Sequence, residues 1–326
     1  MRMRRLGRSG LQVSALGLGT AGIGGGHYDR SLRPDLPVGY GSVDDDESIR
    51  AIQRALDRGV NFFDTADEYG AGHSEEILGR AVAGRREEVV ISTKFGYTFD
   101  EEIREVSGSA ASPEYIRSAC EASLRRLKTD YFDLYLFHLR DYDLERAVEV
   151  RETLESLVDE GKIRYYGWST DDVERARLFA EGPHCTAIMH RLNVFLDAPE
   201  MLALCEEHDL ASINRIPLLM GILTGKYREG IDLPEEDIRS DWFSHPRVMD
   251  DVRRVEELRP ILTRDGRTMA QGAIGWIWAR HERTIPVVGF KTVRQVEENA
   301  DALEYGPLTS EQLAQVETIM ERGEGA

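Results

Sequence analysis

The sequence predicts an α/β protein, a (β/α)8 TIM barrel with an N-terminal β-hairpin and extra helices. Three observations predict it. Eight short apolar runs recur along the 326 residues, a stretch able to form helix separates each from the next, and the runs are near-continuously apolar rather than alternating. Strands of that kind are buried on both faces, as in a parallel sheet covered by helices. Eight such units favour a closed barrel over an open sheet, and the length suits roughly 250 residues of barrel plus insertions. The expected organisation is one domain spanning 1–326.

In chain order, "MRRLGRSGLQVSALG" reads as a hairpin turning at Ser9-Gly10, a plug for the barrel bottom. The eight runs follow: "VSALGLGT", "NFFDTA", "VVISTKF", "DLYLFHL", "IRYYGWS", "AIMHRLN", "ASINRIP" and "TIPVVGF". Asp45 to Gly59 shows the helical pattern between them. Ile49, Ile52 and Leu56 share a face, Asp45, Asp46 and Glu47 suit the positive end of the dipole, and Gly59 stops the helix. "LERAVEVRETLESLVDEG" behaves likewise, with Val150, Leu154, Leu157 and Val158 apolar and Gly161 as the stop. A last helix follows in "TSEQLAQVETIMERG", capped by Thr309 or Ser310 and packing through Leu313, Val316 and Ile319. Three long connections, Ala21–Asp44, Gly96–Ser112 and Leu219–Asp250, each follow a strand. They therefore lie at the barrel face where active sites are built.

A net charge of -18 repels phosphates and anionic lipid, which argues against nucleic acid and membrane as partners. Cys120, Cys185 and Cys205 lack metal-site spacing and read as reduced thiols. No run suits a signal peptide or a membrane span, so a cytoplasmic location is expected. The oligomeric state is left open.

The chemistry gathers at strand ends. Lysine is scarce, occurring at 94, 128, 162, 226 and 291, yet Lys94 falls inside the apolar run "VVISTKFG", where an unpaired ammonium is costly. Asp64 ends the second run, Tyr69 lies just beyond it, and His138 ends the fourth. In a parallel barrel these four converge on one mouth. The set suits a proton donor: Lys94 would lower the Tyr69 pKa, Asp64 would keep the ammonium charged, and His138 would orient a carbonyl oxygen or share the proton. Singly, the Asp could be a cap, the Tyr a loop residue and the His a core residue. Their joint occurrence on three successive strands favours a site. A metal-dependent hydrolase lacks the clustered His and carboxylate ligands it would need.

"GVNFFDTADEYGAGHSEEILGRA", "VVISTKFG", "DLYLFH", "LVDEGKIRYYGWS" and "IPVVGFKTVRQVEENADAL" resemble the aldo-keto reductase superfamily across nearly the whole chain. The resemblance implies hydride transfer from a reduced nicotinamide cofactor, usually NADPH, to an aldehyde or ketone without a metal. Tyr69 becomes the general acid, tuned by Lys94 and Asp64, with His138 orienting the small-molecule carbonyl substrate. "GFKTVRQVEEN" runs from a strand end into a helix start, an anion site with unpaired N–H groups. By resemblance Gly289, Phe290, Lys291, Thr292, Gln295, Glu298 and Asn299 hold the adenosine end. Gly221, Leu223, Gly225 and Lys226 in "LLMGILTGKY" match the pyrophosphate loop, with Pro217 and Leu218 leading into it. Gly19 and Thr20 complete the set. NADPH is expected over NADH on the strength of Lys291, although Gln295 stands where many relatives carry Arg.

Three departures surround the nicotinamide. Ser169 is present, but Thr170 stands at an Asn position and Met189 at a Gln position, and a thioether cannot replace an amide. Arg215 replaces a stacking aromatic ring and Ile216 a Ser; the planar guanidinium can still stack. These departures leave a second reading, a cofactor-binding barrel subunit of regulatory or partner role with little turnover. Tyr97, Trp168 and Trp242 are candidate substrate walls, and the short tail "ERGEGA" suggests an open pocket.

Overall fold

The computed structural model describes residues 2–228, 231, 233–243 and 245–321. Strands β1 (Met3–Arg5) and β2 (Gln12–Ser14) pair antiparallel. Then follow β3 (Gly17–Gly19), α1 (Asp45–Asp57), β4 (Phe62–Asp64), α2 (His73–Ala81), β5 (Val90–Phe95), β6 (Tyr97–Asp100), β7 (Glu105–Ser109) and α3 (Pro113–Leu127). Next come β8 (Phe132–Phe137), α4 (Leu144–Asp159), β9 (Ile163–Ser169), α5 (Val173–Ala180), β10 (Cys185–Arg191), α6 (Pro199–Glu207) and β11 (Ala211–Arg215). The chain continues through α7 (Ser240–Phe243), α8 (Pro246–Leu262), α9 (Met269–Arg280), β12 (Thr284–Gly289), α10 (Val293–Tyr305) and α11 (Ser310–Ile319). Strands β3, β4, β5, β8, β9, β10, β11 and β12 close into one barrel, every adjacent pair parallel. The eight apolar runs of the sequence are its eight staves.

The strands are buried on both faces, and their period of two sorts side chains between two cores. Phe62, Val90, Leu134, Leu136, Ala187, Ala211, Ile213, Ile285 and Val287 point inward. Phe63, Ile91, Phe95, Tyr135, Phe137, Tyr166 and Ile188 point outward to the helices. The β1–β2 hairpin seals one end, burying Leu6 and Val13 in the inner cluster. Gly7 is obligatory there: it has φ 52°, and a Cβ would lie 2.1 Å from Thr186 O. The helices are capped as the sequence suggests, Thr309 being the cap of α11 and accepting from Gln312 N.

Two features were not foreseen. The 96–112 connection is no open loop but contains the β6–β7 hairpin. The 21–44 loop is stitched to the loop after β11. Tyr40 bridges Asp237, Ile238 N donates to Gly39 O at 2.9 Å, and Arg33 donates to Glu235 O at 3.0 Å. The expected effect of the C-terminal tail falls largely on 322–326, outside the described residues. No helix among the described residues is long and apolar enough to cross a membrane.

Candidate active site

The inward phase of each strand delivers the chemistry. Two residues beyond inward Phe62 comes Asp64; two beyond inward Leu136 comes His138; and Lys94 follows Val90 and Ser92 on the inward face of β5. Lys94 Nζ donates to Asp64 Oδ2 at 2.7 Å and to Thr65 O at 2.6 Å. Tyr69 OH lies 3.4 Å from the same nitrogen, which also stands 4.8 Å from the phenol ring centroid. The Tyr69 and His138 rings meet edge to face at 6.1 Å, and Tyr97 packs the same way on His138 at 5.5 Å. Gly70, with φ 61°, holds the Tyr69 loop down; a Cβ there would meet Gly24 O at 1.9 Å.

Burial sets the electrostatics of this rim. It opposes the Lys94 charge, but Asp64 and Tyr69 outweigh it and raise the ammonium's pKa, so the lysine stays charged. Burial raises the Tyr69 pKa, with Asp64 and Glu68 adding to the rise; Lys94 lowers it, as the sequence suggests, without outweighing burial. His138 is pushed well below the ordinary imidazole value by burial and by Lys94, Arg140 and Arg215, so it is neutral. Glu68, beside Tyr69 in the sequence but given no role there, is pushed up by burial to about 7. Chemically, the rim combines a phenol held against an ammonium with a neutral imidazole.

The family model for the aldo/keto reductases matches residues 15–321. The chain belongs to the aldo/keto reductase family. It is an oxidoreductase acting on carbonyl and alcohol groups. It is 32% identical over 274 residues to an NADP(+) aldo-keto reductase of Schizosaccharomyces pombe, covering 81% of this chain and 80% of that one. A glycerol dehydrogenase of Gluconobacter oxydans superposes with a TM-score of 0.84 at 30% identity, covering 99% of this chain and 96% of the other. An aldo/keto reductase of Klebsiella pneumoniae, solved with NADP and acetate, gives 0.71 at 27% identity over 99% and 96%.

In this aldo/keto reductase several of the residues that the resemblance assigns to a cofactor lie at strand ends of the same barrel. Gly19 and Gly289 end the neighbouring strands β3 and β12 in register. Thr20 Oγ1 donates to Asp64 O at 3.2 Å. Ser169 ends β9 opposite Met189, and Thr170 N donates to Met189 O at 2.9 Å. Ser169 Oγ and Arg215 Nε are buried polar atoms without hydrogen-bond partners, which fits a polar ligand at this rim. Arg215 is otherwise held by Asp171 at 2.5 Å. Pro217 and Leu218 lead into a loop with left-handed backbone at Leu219, Met220, Gly221 and Gly225. Leu223 and Phe290 bury their side chains in the cores, so only their backbones can face a ligand. Lys226 is exposed, Glu298 is half-buried, and Asn299 Nδ2 lies 3.5 Å from Gly289 O.

Two expectations need correction. Trp168 is not a pocket wall: its phase on β9 is outward, its ring packs on Phe137 and Phe179, and Nε1 donates to Leu139 O at 2.9 Å. The anion site expected at the start of α10 is partly filled from within the chain, three of its N–H groups already having side-chain acceptors. Gln295 N is capped by Thr292 Oγ1 at 3.3 Å, Lys291 N by Gln295 Oε1 at 2.7 Å, and Val293 N by the Glu47 carboxylate at 2.8 Å. Lys291 Nζ instead holds the 21–44 loop through Tyr40 O at 2.9 Å and Ser42 O at 2.7 Å. Trp242 is exposed on α7.

Proposed function

We propose that this chain reduces an aldehyde or ketone to the alcohol, with NADPH as cofactor and Tyr69 as the general acid. When bound, the reduced nicotinamide supplies the hydride to the carbonyl carbon. Ser169 and Arg215 hold its ring and the 289–299 segment its adenosine end. Tyr69 gives its phenolic proton to the carbonyl oxygen as charge develops there. Lys94 compensates the phenolate that remains, and Asp64 keeps the ammonium fixed and charged. His138, neutral, fixes the carbonyl oxygen beside the phenol by a hydrogen bond. The same residues run the oxidation of an alcohol in reverse.

What supports this reading most is the group of contacts on Lys94: its ammonium lies 2.7 Å from a buried carboxylate and 3.4 Å from a phenol at the mouth of the barrel. The relatives whose names carry NADP support the cofactor. One observation favours NADH instead: the Glu47 carboxylate at the start of α10 would repel a 2′-phosphate. The experiment is a steady-state assay with NADPH and NADH against a panel of aldehydes and ketones, in wild type and in Tyr69→Phe. The phenol-free variant is expected to lose about a hundredfold or more in kcat. Equal rates in the two proteins would remove Tyr69 from the acid role.

A further inference from the structure

The proposed reaction leaves Glu68 without a task. Its carboxylate is largely buried beside Tyr69, and Oε1 lies 3.5 Å from His138 Nδ1. That ring nitrogen is buried and has no hydrogen-bond partner. A gap of this size closes into a hydrogen bond with a small side-chain adjustment, as catalytic contacts commonly do once substrate is bound. Nε2 is then the nitrogen left for the substrate oxygen.

A neutral imidazole carries one proton, and its partner at one nitrogen decides what the other can do. With Glu68 protonated, its O–H donates to Nδ1, the ring proton is on Nε2, and His138 offers a donor, which a carbonyl oxygen needs. With Glu68 ionised, Nδ1–H donates to the carboxylate, and Nε2 offers a lone pair, which an alcohol O–H needs. Passing from the first state to the second moves the carboxyl proton onto Nδ1 and releases the Nε2 proton to solvent, one proton in all. We propose that Glu68 is a positioning residue that sets the tautomer of His138, and with it whether the site favours carbonyl reduction or alcohol oxidation.

The surroundings make the carboxyl the group that titrates. Burial pushes Glu68 up to about 7, with Lys94 and Arg140 pulling it down and Asp29 adding to the rise. His138 stays neutral because burial, Lys94, Arg140 and Arg215 all disfavour its cation. Tyr97, on the β6–β7 hairpin, closes one side of the ring, and Tyr69 closes another.

The inference rests on the reading of Tyr69 and His138 given above, and its first test does not need turnover. Nitrogen NMR of the full chain, with His138 assigned by loss of its signals in His138→Gln, reports which ring nitrogen carries the proton. Wild type is expected to pass from the Nε2–H to the Nδ1–H form around the carboxyl value of about 7, and Glu68→Gln to show no such change. A single wild-type tautomer throughout overturns the proposal, and that result stands even if the variant does not fold. In kinetics, wild-type kcat/KM for reduction should fall roughly tenfold across the same range, the size of one neutral hydrogen bond, while that for oxidation rises. Glu68→Gln should flatten both limbs; limbs that persist in the variant count against Glu68. A protein with the tautomer change but no carbonyl turnover would sink the reductase reading and leave the Glu68–His138 pair standing.

Discussion

Lys94 is 1% exposed and meets a carboxylate, a carbonyl and a phenol, all carried by β4 or the loop directly after it. Lys291, just beyond the end of β12, is half-buried and donates to two backbone carbonyls of a long loop. The first ammonium is fixed by a strand ladder and could not leave its partners without exposing a buried charge. The second is held by loop carbonyls close to the surface, where water can replace them. Charge buried on strands serves chemistry that needs fixed distances; charge shared with a loop serves a ligand that must enter and leave.

Removing Lys94 should therefore have the largest effect, and on two measurements at once. Lys94→Met leaves Asp64 buried without its counter-charge, which costs on the order of 3–5 kcal/mol in chemical denaturation. It also removes the partner of the phenolate, and kcat should fall by about a hundredfold or more. The double variant Asp64→Asn/Lys94→Met should regain much of the stability and none of the rate. Recovery of both together would mean that the pair is only structural.

The same contrast explains what was legible in the sequence. The eight staves could be read because each is a short apolar run, and Asp64, Lys94 and His138 because polar residues inside such runs have few structural excuses. Strand period carried further than it was used. Gly167 and Ser169 face inward, so Trp168 between them had to face α5, where Phe179 receives it. The loop contacts could not be read. Nothing local in "GFKTVRQVEEN" reveals that Glu47, some 246 residues away, caps Val293 N. Nor does "YGS" at 40–42 reveal that its carbonyls meet Lys291. Glu68 was visible beside Tyr69, but its value depends on burial and on His138, which only the closed barrel supplies.

Lys291→Ala should separate the two regions. It removes two hydrogen bonds holding the 21–44 loop, and the positive charge proposed to meet a 2′-phosphate. Fluorescence titration is expected to give roughly tenfold weaker NADPH binding, since each exposed contact is modest. The melting temperature and the kcat at saturation should barely move. A kcat loss comparable to that of Lys94→Met would erase the distinction between a fixed charge and one whose partners water can replace.

The smallest effect belongs to Glu47, and it sharpens the comparison most. Its carboxylate accepts from Val293 N at 2.8 Å and from Arg50 at 2.9 Å, and the Val293 N–H and then Arg50 hold its pKa below the usual glutamate range. It therefore presents a full negative charge where the α10 dipole is positive, beside Lys291. Glu47→Gln keeps an oxygen for the Val293 N–H and removes the charge alone. The ratio of NADH to NADPH dissociation constants should then rise about threefold, through tighter NADPH binding with NADH unchanged. The gain should shrink as salt is added, because the Glu47 carboxylate is partly exposed to solvent. An unchanged ratio at low salt would make Glu47 a helix cap and nothing more, and would leave Lys291 to decide the choice of cofactor.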